Sequence, residues 1–270
     1  MNFYILRVKT TSNSWDENEM QRVLGDNRKG YRFSHDYCPV CHRVLGGWPE
    51  PPIRCELHIA AQYFGDIVPS CGDIFFSKQA RDLFLESGLR GIQRFEHVEI
   101  LKLKTHNGIR KSKLPPLPEY YFAYVNFDGA IMDYKHSKAI LCPPILSVCE
   151  YCISSPPLDR EGILQHTLST YTPDNKLDLL LESSEQKLFP NSLDKYTGIY
   201  VDESRWNGNN IFRLIGIGGT TVVDQTFVDW ANENNLTGCH FAPESEPSAD
   251  WGQYVYYEKR FGPGLHYDLE

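Results

Sequence analysis

Two Cys-x-x-Cys pairs, more than a hundred residues apart, constrain this 270-residue chain most: Cys38-Pro-Val-Cys41 and Cys149-Glu-Tyr-Cys152. Two residues between cysteines let a tight turn aim both sulfurs at one point, and backbone N–H groups of such a turn donate to the thiolates. Two knuckles supply four thiolates, the donor set of tetrahedral zinc at about 2.3 Å per Zn–S bond. One site built from both pairs staples distant segments, and closing a long loop constrains the unfolded chain, though only logarithmically in its length. Compact zinc ribbons place their pairs about 15–20 residues apart. The wider spacing leaves other readings open: two unrelated pairs, a redox dithiol, or His35 or His42 in place of one cysteine. The expectation is one structural Zn2+ held by Cys38, Cys41, Cys149 and Cys152, with four protein ligands and no open position for a substrate.

The other four cysteines, Cys55, Cys71, Cys142 and Cys239, lack such spacing. Eight cysteines also allow four disulfides, but disulfide scaffolds are short and secreted. The opening Met1-Asn-Phe-Tyr-Ile-Leu-Arg-Val alternates and has no small-residue cleavage site, so it does not read as a signal peptide. No stretch approaches the roughly 18 apolar residues that span a bilayer. A cytoplasmic address, where thiols stay reduced, is the expectation. With 41% hydrophobic and 13% aromatic residues the chain can bury a substantial core. A formal net charge of −8 argues against a global nucleic-acid or anionic-membrane binder and favours a basic partner.

The alternating Phe3–Val8 predicts an opening strand, and 10–30 reads as polar with a short helical pattern around Glu17–Leu24. Ile53-Arg-Cys-Glu-Leu-His-Ile alternates strictly, a half-buried strand with Cys55 on its core face. Lys102, Lys104, His106, Arg110, Lys111 and Lys113 form a basic run read as a solvated loop, followed by a rigid spacer, Leu114-Pro-Pro-Leu-Pro-Glu. Tyr120–Val125 and Ala130–Asp133 read as a hairpin across Asn126-Phe-Asp-Gly. Residues 158–200 are polar and carry no clear pattern. The predicted division is an N-terminal lobe, 1–157, bearing both cysteine pairs, and a C-terminal α+β lobe, 158–270.

Residues 74–93 align without gaps to 221–240, an offset of 147. Each copy has a short apolar strand, an N-cap residue (Ser77 or Asp224), a helix with an i, i+3, i+4 apolar face, and a helix end at Gly88 or Asn235 that tolerates a left-handed backbone. Leu89-Arg-Gly91 and Leu236-Thr-Gly238 then lead into another strand. Cys239 takes the position of Ile92 and is therefore expected in the core. The fold class expected is α+β: two strand–helix–strand units with mixed or antiparallel sheets, tied by a zinc knuckle pair.

Catalytic signatures are missing. The chain has no Gly-x-Ser-x-Gly elbow, Walker loop or His-Glu-x-x-His, and Gly216-Ile-Gly218-Gly219 lacks the third glycine and the helix of a dinucleotide fingerprint. The basic run contains no aromatic residue that could stack on bases. Trp251, Tyr254 and Tyr256 suit either an interface or a sheet core.

The chain resembles the double-CXXCG-motif proteins, predicted immunity proteins of bacterial polymorphic toxin systems. The matching residues are Phe3-Tyr-Ile-Leu-Arg, Cys38-Pro-Val-Cys41, Leu89-Arg-Gly-Ile, Cys149-Glu-Tyr-Cys152, and a C-terminal block. That block runs from Ile211-Phe-Arg-Leu through Val222-Val and Phe227 to Leu236-Thr-Gly-Cys-His-Phe241, and is similar to a second, related immunity family as well. The glycine that follows each second cysteine in the motif is replaced by His42 and Ile153. The resemblance implies a cytoplasmic, non-enzymatic protein that occludes a cognate toxin protein, with zinc in a structural role and no nucleic acid, membrane or small-molecule substrate as partner. The alternatives are an enzyme whose site is invisible in sequence and a zinc-dependent nucleic-acid-binding protein.

Overall fold

The computed structural model describes residues 2–8, 21–25, 33–40, 42, 44–59, 62–70, 73–105, 108–133, 136–137, 140–142, 192–195, 198–216 and 220–245. Its architecture is α+β, with sixteen strands and two α-helices among these residues. Strands β1 (Phe3–Val8), β2 (Gln21–Gly25), β3 (Phe33–Tyr37), β4 (Val44–Pro49), β5 (Ile53–Ile59), β6 (Ile67–Ser70) and β7 (Asp73–Ser77) precede helix α1 (Lys78–Ser87). After it come β8 (Ile92–Thr105), β9 (Tyr120–Val125), β10 (Phe127–Met132), β11 (Ile140–Cys142), β12 (Ser192–Lys195), β13 (Val201–Asp202), β14 (Ile211–Ile215) and β15 (Thr221–Asp224). Helix α2 (Gln225–Glu233) and β16 (Cys239–Pro243) follow. Two six-stranded sheets carry the fold, ordered β2-β5-β8-β9-β7-β6 and β13-β10-β14-β15-β1-β16, beside the ribbons β3-β4 and β11-β12. Within the large sheets β5/β8 and β10/β14 are parallel and the other pairs antiparallel.

The sequence repeat is a structural repeat, and it is larger than the aligned segment. Ser77 accepts from the Ala80 N–H and Asp224 from the Phe227 N–H, so both predicted N-caps are made. Gly88 (φ 75°) and Asn235 (φ 54°) both adopt the left-handed conformation. Each unit also includes the strand before it, pairing β6 with β7 (Ile67↔Phe76) and β14 with β15 (Ile211↔Val223). Between the hairpin and the returning strand each sheet takes in one further strand. In the first sheet this is β9, with Ser77↔Tyr120; in the second it is β1, with Asp224↔Phe3. With β1–β8 and β9–β16 taken as the two halves of the chain, the first strand of each half is an interior strand of the six-stranded sheet built otherwise from the other half.

The units are also tied to each other by matching hydrogen bonds. The Asp66 and Ile67 N–H groups donate to the Thr237 carbonyl (2.8 and 2.9 Å), as those of Asn210 and Ile211 do to Arg90 (2.9 and 3.2 Å). In return the Thr237 N–H donates to an Asp66 carboxylate oxygen and the Arg90 N–H to the Asn210 side-chain oxygen. Gly91 and Gly238, one per unit, lie where these loops cross. A Cβ on Gly91 would fall 1.7 Å from the Ile211 carbonyl oxygen, and one on Gly238 2.7 Å from the Gly65 Cα. Both have positive φ, 121° and 95°, so glycine is required by conformation and by space.

The helices pack with complementary bulk. Ala80 and Phe84 of α1 align with Phe227 and Ala231 of α2, so each helix places a large ring where the other places a methyl group. Phe84 meets Trp230 edge-on at 5.8 Å and Phe227 at 6.4 Å. The second sheet is buried on both faces: Val223, Ile211 and Leu6 join the large core, while Phe3, Ile5, Phe212, Leu214 and Val222 form a second cluster.

Three expectations are corrected. Tyr120–Val125 and the strand after Asn126 are not a hairpin; β9 and β10 belong to different sheets. Asn126 is the crossover, donating to Gly91 and accepting from Arg213, so its neighbours run on rather than turning back. Residues 21–24, read as the end of a helix, form β2, because Val23 pairs with Leu57 on β5 and a sheet ladder overrides weak local propensity. Lys102 and Lys104 lie on β8 rather than in a loop. Phe3–Val8 and Ile53–Ile59 are strands as expected, and Cys55 is core at 1% exposure. Residues 17–20, the boundary near 157, nearly all of 158–200, and Trp251, Tyr254 and Tyr256 lie outside the described residues.

Candidate functional site

Of the four expected zinc ligands only Cys38 is described; Cys41, Cys149 and Cys152 lie outside the described residues. Cys38 follows β3 in a turn and is fully buried (0%), although its neighbours Tyr37 and Val40 are 58% and 51% exposed. The His42 N–H donates to the Cys38 carbonyl at 2.9 Å, closing the turn, and His42 has φ 58°. His42 thus adopts the left-handed conformation that a glycine at this position eases. The turn is thus exposed except for its inward cysteine. The His35 ring lies against Tyr37 at 6.2 Å. Among the described residues no group of three or more His, Cys, Asp or Glu could hold a metal ion.

The β3–β4 ribbon that carries this turn docks where the two sheets meet, on a buried polar cluster. Arg213, on β14, lays its guanidinium 3.6 Å over the Trp48 ring and 6.0 Å from that of Phe127. Its side chain is 7% exposed, and Nη2 lies 3.4 Å from Asp73 Oδ1. Trp48 Nε1 donates to Asp36 Oδ2 at 2.6 Å, and the Tyr124 hydroxyl donates to the Pro49 carbonyl at 2.7 Å. Gly46 lets the ribbon close on the Phe127 ring, which a Cβ there would meet at 2.9 Å. Burial pulls Arg213 down to about 10, opposed by the charges of Asp73 and Asp36. The neighbouring protein raises the Asp73 carboxyl to about 6, against the pull of Arg213, although 39% of its side chain is exposed. No nucleophile and base are paired in this cluster. Its chemistry is that of a fixed cation clamped between an indole and a carboxylate, holding the ribbon to both sheets. Cys55 is apart from it, in the core, with its thiol pushed up to about 12 by burial and hence inert.

A shallow cleft of about 640 Å³ opens on a different face, between the start of α1 and the proline strap 115–118, with Tyr63 and Phe64 in its lining. Neither Asp73 nor Arg213 lines it; the shifted groups in its lining are Lys78, raised by its hydrogen bond to Asp82, and Asp82, lowered by its hydrogen bonds to Lys78 and Arg81. The basic run is also divided: Lys104 is paired with Glu56 on the neighbouring strand, while Arg110, Lys111 and Lys113 are exposed around a short 3₁₀ turn. Cys239 is half-buried against the core, and Cys142 lies on β11 opposite Ser192. No helix among the described residues is long and apolar enough to cross a membrane.

Sequence reading missed the Arg213 cluster and the Asp66–Thr237 and Asn210–Arg90 ties. One signal was available: Arg213 is the lone charge in Ile211-Phe-Arg-Leu-Ile, a run otherwise wholly apolar. No family model and no curated protein matches the chain.

Proposed function

We propose that this chain is an immunity protein that binds and neutralises a cognate bacterial toxin, using protein contacts and no catalysis. One observation carries the reading: the motifs of the resemblance other than the cysteine pairs meet in one place. Phe3–Arg7 pairs with both Val222-Val and the strand after Leu236-Thr-Gly, and Leu89-Arg-Gly binds the start of Ile211-Phe-Arg-Leu. Motifs spread over more than two hundred residues that converge on one unit support a resemblance to a whole domain rather than to separate short words. In this reading Cys38, Cys41, Cys149 and Cys152 hold a structural Zn2+, which fixes the β3–β4 ribbon against the Arg213 cluster and takes no part in a reaction. The net charge of −8 suits a basic toxin such as a nuclease, by electrostatic complementarity.

The test is calorimetry of the purified chain against the product of the adjacent gene. A nanomolar one-to-one complex that silences that product's toxicity is the expected result. Absence of binding by a folded, zinc-loaded preparation would overturn the reading. The metal is tested separately: the protein releases one equivalent of zinc to a chelator in denaturant, and the Cys149→Ser variant retains less than wild type.

A further inference from the structure

We propose that the β3–β4 ribbon is a strap that opens by itself, and that Arg213 is the latch holding it down where the two large sheets meet. Neither strand of the ribbon is hydrogen-bonded into a large sheet. Among its described side chains only Cys38 and Trp48 are buried, so a single large ring anchors it. That ring bridges the junction, 5.9 Å from Tyr124 on β9 and 6.3 Å from Phe127 on β10. A two-stranded ribbon is marginal in water by itself, so the β3–β4 ladder persists only while Trp48 stays seated. The Arg213 guanidinium covers the same ring from β14, flanked by Asp73 of the first sheet and by the charge of Asp36 on the ribbon. Burial pulls Arg213 down by more than the two carboxylates raise it. Seating this cation therefore carries a desolvation cost that is recovered when the strap lifts and water returns. A purely apolar contact only loses on opening, so a ring held by a buried cation is the more releasable anchor. The ribbon runs on through 50–52 into β5, so its base stays fixed while the Cys38 end swings. Opening bares the guanidinium and the Tyr124 and Phe127 rings without breaking a strand pair of either large sheet, and so precedes global unfolding.

The test is native-state hydrogen exchange of the full-length chain, run in chelator so that no metal at the Cys38 turn adds a second hold. In the wild type the hydrogen-bonded amides of the β3–β4 ladder are expected to be at least about a hundredfold less protected than those of β8 and β9. Arg213→Lys keeps the charge but removes the planar face that stacks on the ring. It should speed exchange of the ribbon amides about tenfold and leave the β8 and β9 amides within about threefold of wild type. Trp48→Leu, a change on the ribbon itself, should do the same. Equal protection of ribbon and sheet amides in the wild type overturns the strap. Ribbon amides of Arg213→Lys within threefold of wild type, or sheet amides that accelerate in step with them, overturn the latch. If Arg213→Lys does not fold, Trp48→Leu decides by the same two criteria.

Discussion

Gly91 and Gly238 show how much a single position can decide. An added methyl at Gly91 would fall 1.7 Å from a carbonyl oxygen of the other unit, a contact that no side-chain rotation relieves. Gly91→Ala should therefore cost about 3 kcal/mol or more in urea denaturation, and Gly238→Ala somewhat less. Gly88→Ala, with φ 75° but nothing within 4 Å, should cost only about 1 kcal/mol, because only the backbone term remains. Asp73 sets a pH signature. Its folded-state affinity for the proton exceeds that of the unfolded chain, so its contribution to stability is full below about 4 and is lost as pH rises to about 6. Asp73→Asn should flatten the thermal midpoint over that window. Because the carboxyl is 39% exposed, screening limits the change to about 1 kcal/mol. The sequence revealed both glycines as repeat partners but not their function, because close approach depends on which distant backbone arrives there. Asp73 gave no signal at all, since its environment comes from β14 and the ribbon.

Element by element, the repeat was legible because it rests on local rules: N-cap chemistry, helical spacing and left-handed termini, each readable within about ten residues. Its physical test is the caps. Ser77→Ala and Asp224→Ala should each lose about 2 kcal/mol in chemical denaturation, because beyond its cap bond Ser77 donates to Asp66 and Asp224 receives the Asn210 amide. The helix pair gives a second test. Phe84→Ala and Phe227→Ala should each cost about 3–5 kcal/mol, and the two should be non-additive, because both rings pack on Trp230. The false hairpin across Asn126 has an equally definite origin. Asn-Phe-Asp-Gly carries the turn residues that mark hairpins, but the flanking Tyr120–Val125 and Phe127–Met132 are almost wholly buried. A strand buried on both faces has a neighbour on each side, and short-range turn chemistry does not say which neighbour that is.

At the scale of the molecule, the reciprocal placement of β1 and β9 governs behaviour. Neither half can complete its sheet alone, so the described fold should unfold as one unit. Native-state hydrogen exchange should give the β1 and β9 amides the same opening free energy, close to the global value. Two separated values would mean the sheets open independently. The α+β class was readable from pattern and composition, whereas the exchange of strands was not, since it links residues that no local rule connects. It also places a demand on synthesis. Phe3, Ile5 and Leu6 leave the ribosome more than two hundred residues ahead of their neighbours on β15 and β16. At about 5–20 residues per second, that apolar strand waits on the order of ten to forty seconds for its place. A nascent chain of this architecture must be sheltered while it waits, and any chain cut short before β15 leaves β1 without a partner.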